Sequence, residues 1–435
     1  MADLLSLSAR LIDDGVTDEP SNRVTQELSE LDDDLALIES FSHIVVFRTD
    51  DGLVCFDATG PATGQQAVES LRGWSDDRVH TLVYTHGHLD HVGGSGAFVA
   101  DARRSRRADP SVVAHEAVLD RFRRYRRTDG FNLAINARQF GGVAPRHGMG
   151  VGGVDRFLPD DVVEPDHTYA RRTGLRIGDL RIELHHARGE TDDHTWAWVP
   201  DKRAVCVGDF LTWVFPNAGN PQKVQRYPEE WAAALRDMAA LEPELVLPAH
   251  GLPIAGRDRI ATVLDQIASV LEHLVTETLS MMNAGAALEE IVHTVRVPET
   301  TLALPYLRPV YDEPEFVVRN VWRRYGGWWD GDAARLKPPT RAALASELAA
   351  LAGGATPLAD RAAAVAAQGD HRLACELVEL AAAAAPDDAA IHGRRAEIYR
   401  ARRAAESSLM AKGIYAAAAR ESEQRSDPIG QPPPT

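Results

Sequence analysis

Only three cysteines, Cys55, Cys206 and Cys375, occur in 435 residues, and they lie far apart. That scarcity excludes a disulfide framework, and Cys55 and Cys206 fall in apolar, strand-like runs where cysteine acts as a small buried hydrophobe. Cations are also short: 47 Lys and Arg stand against 64 Asp and Glu, a formal net charge of −17 at pH 7. This balance argues against a polyanion partner, because counterion-release binding needs clustered cations. The basic runs at residues 103–107 and 121–127 read as solvated helix faces. No apolar run approaches the length of a membrane span, and Met1-Ala2-Asp3 carries an acid where a signal peptide would be basic. The expectation is a soluble cytoplasmic protein with neither nucleic acid nor membrane as a partner. With 44% hydrophobic residues the chain can bury a large core and form two domains.

What is present is concentrated at Thr85-His86-Gly87-His88-Leu89-Asp90-His91-Val92-Gly93-Gly94, where three histidines and a carboxylate occupy six consecutive positions. The preceding run His80-Thr81-Leu82-Val83-Tyr84 is β-prone, so the ligand-rich stretch leaves a buried strand, and Gly93-Gly94 is expected to let the backbone bend. Imidazoles and a carboxylate suit zinc or a similar divalent ion. Four ligands so close in sequence exceed what one open tetrahedral site takes locally, so two metals are expected.

Residues 1–32 are acidic with a weak helical pattern and read as a lead-in segment. Residues 42–48 and 52–56 form an expected hairpin ending on Asp57, with His43 read as structural. A helix over 65–74 and a strand over 111–114 continue an alternating β and α order, which suits an α/β sandwich. Residues 131–154 are rich in Gly and Asn and are expected to be an irregular substrate loop, in which Arg146 and His147 could meet an anion. Strands over 180–185, 195–199 and 204–207 frame a turn holding Glu190 and His194 and then lead to Asp209. Leu245-Val246-Leu247-Pro248-Ala249-His250 is a strand ending on histidine. Between Asp209 and His250, a Gly- and Pro-containing loop carries Asn217, Lys223 and Arg226, donors suited to an oxyanion. A long amphipathic helix spans 259–282. The stretch 317–339 then holds three of the eight tryptophans, and Ala- and Leu-rich helices over 358–368, 372–384 and 390–404 have tetratricopeptide-like hairpin spacing.

The Thr85 to Gly94 stretch resembles the signature loop of the metallo-β-lactamase superfamily. That resemblance implies an αββα sandwich with metals at one edge between the sheets, and His250 matches the superfamily's last ligand. Most relatives place a histidine in the turn where this chain has Glu190. The alkylsulfatase branch has glutamate there, which implies Glu190 as a ligand, with His194 the rival. Tyr325-Gly326-Gly327-Trp328-Trp329-Asp330-Gly331 is similar to the motif opening the alkylsulfatase dimerisation domain. Asp209 departs from that branch, whose bridging carboxylate is usually glutamate. Many alkylsulfatases add a C-terminal sterol-carrier-like domain with an apolar pocket; none is expected here, and the expectation is against long-chain alkyl substrates.

The resemblance implies an α/β metallo-β-lactamase domain over 33–257, connecting helices over 258–316, an all-α, tetratricopeptide-like dimerisation domain over 317–422 and a flexible tail over 423–435. It further implies a homodimeric hydrolase with two divalent ions per chain, expected to be zinc. His86, His88 and Glu190 would hold one ion and Asp90, His91 and His250 the other, with Asp209 between them. The expected substrate is a small anionic ester, a sulfate ester of an aliphatic or hindered alcohol. Asp90 and Asp209 are the expected catalytic carboxylates, the water activated by the ions is the nucleophile, and Asn217, Lys223, Arg226 and His147 contact the substrate. The same metal set would serve a phosphodiester or lactone hydrolase. A non-catalytic helical-repeat binding protein is the alternative of another class.

Overall fold

The computed structural model describes residues 3–140 and 156–426, so Arg146 and His147 lie outside the described residues. These residues divide into two compact units, one of 3–134 with 156–328 and one of 135–140 with 329–426.

The first unit begins with α1 (Leu4–Asp13) and contains two sheets. The seven-stranded sheet follows chain order: β1 (Leu28–Asp32), β2 (Leu35–Ile38), β3 (Ile44–Thr49), β4 (Gly52–Phe56), β5 (Val79–Val83), β6 (Ser111–His115) and β7 (His167–Tyr169). The expected hairpin is β3–β4, closed over Asp50-Asp51 with Thr49 paired to Gly52. From β4 onward the strands are parallel, because helices carry the chain back between them. These are α2 (Gly64–Trp74), then α3 (Leu89–Val92) and α4 (Ser95–Arg104), then α5 (Ala117–Arg127) and α6 (Asp129–Gln139).

The six-stranded sheet comprises β8 (Arg172–Ile177), β9 (Leu180–His186), β10 (Thr195–Val199), β11 (Ala204–Gly208), β12 (Leu245–Pro248) and β13 (Ile254–Ala255). Helix α7 (Pro228–Ala240) spans the parallel β11–β12 crossover. Helices α8 (Arg257–Asn283), α9 (Leu288–Thr294), α10 (Glu299–Leu302) and α11 (Pro314–Gly326) complete the unit.

Alternation along β3 and β4 sets the layers. Val45, Phe47, Val54 and Phe56 join one core with Leu184, Val205, Trp231 and Leu264. Their neighbours Ile44, Val46, Leu53 and Cys55 pack against Val68, Leu71, Val118 and Phe122 of α2 and α5. Both faces are covered, which is why these strands read as unbroken apolar runs. The architecture is the expected αββα sandwich.

In the second unit, α12 (Ala333–Leu336) and α13 (Arg341–Leu351) precede α14 (Ala355–Ala367), α15 (His371–Ala384), α16 (Ala389–Ala405) and α17 (Leu409–Ser426). Asp370 caps α15 through the Leu373 N–H, and Asp388 caps α16 through those of Ala390 and Ile391. Small buried residues, Ala359, Ala362, Ala374 and Ala381, let these helices approach closely. No single helix among the described residues is long and apolar enough to cross a membrane.

Several segments differ from their sequence reading. Residues 131–139 lie within α6 rather than an irregular loop. The glycines begin only at Gly141, while Asn132 Nδ2 bonds back to the Thr128 carbonyl at 2.9 Å and Ile135 is buried. The acidic lead-in buries Leu4 and Leu11 and contributes β1 to the sheet. Residue 317, the expected start of the helical domain, lies inside α11, whose Val317, Val318 and Val321 belong to the sandwich core.

Gly93 and Gly94 serve space rather than curvature. Their φ values, −63° and −86°, are ordinary for any residue, but a methyl group on Gly94 would collide with the Ala58 carbonyl oxygen and Gly64 Cα. Gly94→Ala is therefore expected to cost about 1–3 kcal/mol, measured as a lowered denaturation midpoint. An unchanged midpoint would rule out that close approach.

Candidate metal centre

Strand ends assemble the centre. The chain leaving β5 carries His86 and His88, and α3 carries Asp90 and His91; Glu190 lies in the β9–β10 turn, and Asp209 and His250 follow β11 and β12. Two groups of donors converge, His86 with His88, Glu190 and Asp209, and Asp90 with His91 and His250, each with its donor atoms within 4.8 Å of one another. Asp209 addresses both. Its Oδ2 lies 3.8 Å from His86 Nε2, while its Oδ1 lies 3.4 Å from His91 Nε2 and 3.6 Å from His250 Nε2. Asp90 Oδ2 is 3.4 Å from His250 Nε2, and Glu190 Oε1 is 3.6 Å from His88 Nδ1.

A second layer orients these groups. Asp57, at the end of β4, accepts from the Thr85 N–H at 2.7 Å, from the Thr85 hydroxyl at 2.8 Å and from His91 Nδ1 at 2.8 Å. His250 Nδ1 donates to the Phe41 carbonyl at 2.7 Å. Both rings thereby present Nε2 inward, the arrangement in which an outer partner fixes a metal-ligating imidazole.

The donor set fits divalent cations. Burial first, and then nearby positive charge, holds His86 and His88 well below the usual imidazole range, so both offer neutral nitrogens. Burial and the neighbouring Asp209 and Asp90 press Glu190 upward, against the pull of Arg226. His91 Nε2 and Asp209 Oδ1 are buried without a hydrogen-bond partner among the described residues. Orphaned inward-facing donors beside crowded carboxylates are what a bound cation would satisfy. His194 is placed differently: its ring stacks on His86 at 4.5 Å, and its Nε2 accepts from the Asp209 N–H at 3.2 Å.

Residues 37–250 match the sequence model of the metallo-beta-lactamase superfamily, and residues 287–425 match the model described as alkyl sulfatase dimerisation. The chain carries a metallo-β-lactamase domain, with an alkylsulfatase dimerisation region after it. A linear primary-alkylsulfatase of Pseudomonas sp. is 27% identical over 361 residues, covering 80% of this chain and 68% of that protein. An (R)-specific secondary-alkylsulfatase of Pseudomonas sp. is 24% identical over 363 residues, covering 77% and 53%. Among solved structures, the stereoselective inverting sec-alkylsulfatase Pisa1 from Pseudomonas sp. superposes with a TM-score of 0.80 at 21% identity, covering 94% of this chain and 66% of that one. The chain thus spans from about half to two thirds of the length of these relatives.

The residues expected to hold substrate occupy varied positions in this metallo-β-lactamase fold. Asn217 Nδ2 donates to Glu190 Oε1, and Arg226 Nη1 donates to the Glu190 carbonyl and lies 3.0 Å from Oε1. Lys223 is half-buried with its ammonium 6.0 Å from the Phe157 ring. Burial, followed by Arg226, pulls its pKa down to about 8 against Glu190 and Asp90.

Sequence reasoning missed three contributors. Arg121 was grouped with a solvated basic face, yet it is buried and bonds Asp193 Oδ2 at 2.6 Å and Asp192. Asp193 Oδ2 in turn accepts from the Gly87 N–H at 3.1 Å, inside the metal loop. The signal was available, because Arg121 shares its helical stripe with Val118, Phe122 and Tyr125. Asp312 accepts from the Gly219 and Asn220 N–H groups, and Asn320 pairs with the Arg226 backbone. Nothing local in sequence marks either one.

Removing the guanidinium in Arg121→Met leaves Asp193 buried and unpaired, at an expected cost of about 3–5 kcal/mol. Burial pushes Asp193 upward, but Arg121 outweighs it and holds the carboxyl at about 2, below its ordinary 3.8. The pair's stabilisation is complete above the ordinary value and is lost as pH falls toward the depressed one. Acid titration should therefore show Arg121→Met unfolding at higher pH than the parent; coincident acid transitions would contradict this.

Proposed function

We propose that the chain is a dinuclear zinc hydrolase that cleaves the sulfate ester of an aliphatic alcohol and works as a cytoplasmic homodimer. The observation that carries the reading is Asp209, which directs one oxygen at each of two ligand groups. The names of the relatives, alkylsulfatases, favour a sulfate ester over the other esters this superfamily accommodates. The match to an alkyl sulfatase dimerisation model supports the dimer, and three free cysteines suit a reducing compartment.

Divalent ions held by these residues would supply Lewis acidity and lower the pKa of coordinated water. Asp90 and Asp209 are the carboxylates placed to accept from the attacking water and orient it. Attack at the alkoxy carbon breaks the C–O bond, and sulfate leaves with the electron pair without needing a proton. Lys223 and the Arg226 Nε–H, which is buried without a partner among the described residues, are suited to meet the departing charge.

The purified chain is expected to carry about two zinc ions, to release sulfate from short alkyl sulfates and to leave bis-nitrophenyl phosphate and a simple lactone largely intact. Turnover of the phosphodiester or lactone in preference would favour those rival activities. Glu190→Ala should lose zinc and turnover together, whereas His194→Ala should keep its zinc; the reverse pattern would reassign the ligand. Lys223→Ala should retain zinc and lose about two to three orders of magnitude in rate. With Lys223 at about 8, the cation is present below that pH, so KM should rise above it. A flat KM profile to pH 9.5 would exclude the lysine from substrate binding. Sedimentation at micromolar concentration should show a dimer, and a monomer there would exclude the assembly.

A further inference from the structure

The loop after β11 faces Glu190 on one side and α11 on the other. Asn217 Nδ2 and Arg226 Nη1 converge on Glu190 Oε1, the oxygen that faces His88 Nδ1 at 3.6 Å. Arg226 Nη1 also bonds the Glu190 carbonyl, so a single guanidinium ties backbone and carboxylate of that residue together. Arg226 and Glu190 are 2% and 4% exposed, so each charge is cut off from bulk water and leans on protein partners.

Arg226 is itself held. Asn320 on α11 accepts from the Arg226 N–H through Oδ1 at 3.3 Å and donates to the Arg226 carbonyl through Nδ2 at 2.9 Å. At the other end of the loop, Asp312 Oδ2 accepts from the Gly219 N–H at 2.6 Å and the Asn220 N–H at 3.1 Å. The Gly219 backbone comes so close to Phe316 that no side chain fits between them. The loop is thus fixed at both ends by residues 312–320, a segment covered by the dimerisation model rather than by the metallo-β-lactamase model.

We propose that Arg226 and Asn217 are positioning residues for Glu190, set by Asn320 and Asp312, so that α11 determines how firmly the His86–His88–Glu190 site holds its ion. This rests on the two-ion reading. A buried carboxylate in place of a neutral ligand adds a charge, and Arg226 offsets it. Its orientation then depends on the loop, and the loop depends on α11.

The test uses full-length Arg226→Gln, Arg226→Lys, Asn320→Ala and the double variant Arg226→Gln/Glu190→Gln. Two quantities are measured: the thermal midpoint of the metal-free protein, and zinc retained after dialysis against a weak chelator. Arg226→Gln should lower the metal-free midpoint by about 4–8 °C, and adding Glu190→Gln should recover most of that loss, because the orphaned charge is then gone. Arg226→Lys should stay near the parent. Arg226→Gln and Asn320→Ala should each retain about one zinc under conditions where the parent retains two, and the cobalt(II)-substituted protein should lose the absorption of one site only. Two zinc ions held as tightly as in the parent, or no recovery on neutralising Glu190, would overturn the proposal. If Arg226→Gln does not fold, Asn320→Ala and Arg226→Lys decide on zinc retention alone. A parent that never holds two ions would defeat the dinuclear reading, while the metal-free midpoints would still judge the relay.

Discussion

Charge that cannot reach water governs this protein. Asp57, Glu190 and Asp209 are buried around one centre, and among the described residues Arg226 is the buried guanidinium that answers Glu190. A buried carboxylate is tolerated only when hydrogen-bonded and paired. Asp57 meets that condition through Thr85 and His91, and Glu190 through Asn217 and Arg226. Asp209 meets it least, since Oδ1 has no hydrogen-bond donor among the described residues. The sandwich, the loop and α11 can all be understood as means of holding these oxygens close together and shielded from bulk solvent.

The scaffold does this by using strand ends. A strand buried on both faces fixes the direction in which the next residues leave it, and His86, Asp209 and His250 all follow such strands within three residues. The residues that tune them lie elsewhere. Arg121 reaches the metal loop from α5 through Asp193, and Asn320 reaches Glu190 from α11 through Arg226. Ligand position is thus set by the sheets, while helices α5 and α11 brace the metal loop and Glu190.

The part legible in sequence was the part written locally. Three histidines and an aspartate in six positions cannot be averaged away; Asp209 and His250 each follow an apolar run that had to be a strand, and Glu190 follows the alternating stretch Leu180–His186. Elements with unmixed composition were equally plain: β10 spans 195–199 and α16 brackets the expected 390–404. Errors arose where one window mixed two structures. The Gly-rich stretch after residue 140 hid the helical periodicity of 131–139, and the exposed Arg123, Arg126 and Arg127 of α5 hid the buried Arg121. Asp312 and Asn320 were illegible for a different reason: their partners lie more than ninety positions away, at distances only the fold can close.

The centre draws His86, His88, Asp90 and His91 from the seven-stranded sheet and Glu190, Asp209 and His250 from the six-stranded one. Ions bound there would be further cross-links between two layers that also meet through side-chain packing and through hydrogen bonds such as those from the His43 N–H to the Ala249 carbonyl and from the Thr195 N–H to the Thr85 carbonyl. A cross-link that exists only in the folded chain stabilises it by mass action, by about 2.7 kcal/mol when the free ion stands at a hundred times its dissociation constant. Metal supply then acts on the lifetime of the protein as well as on its chemistry, since a starved chain spends more time open to proteolysis.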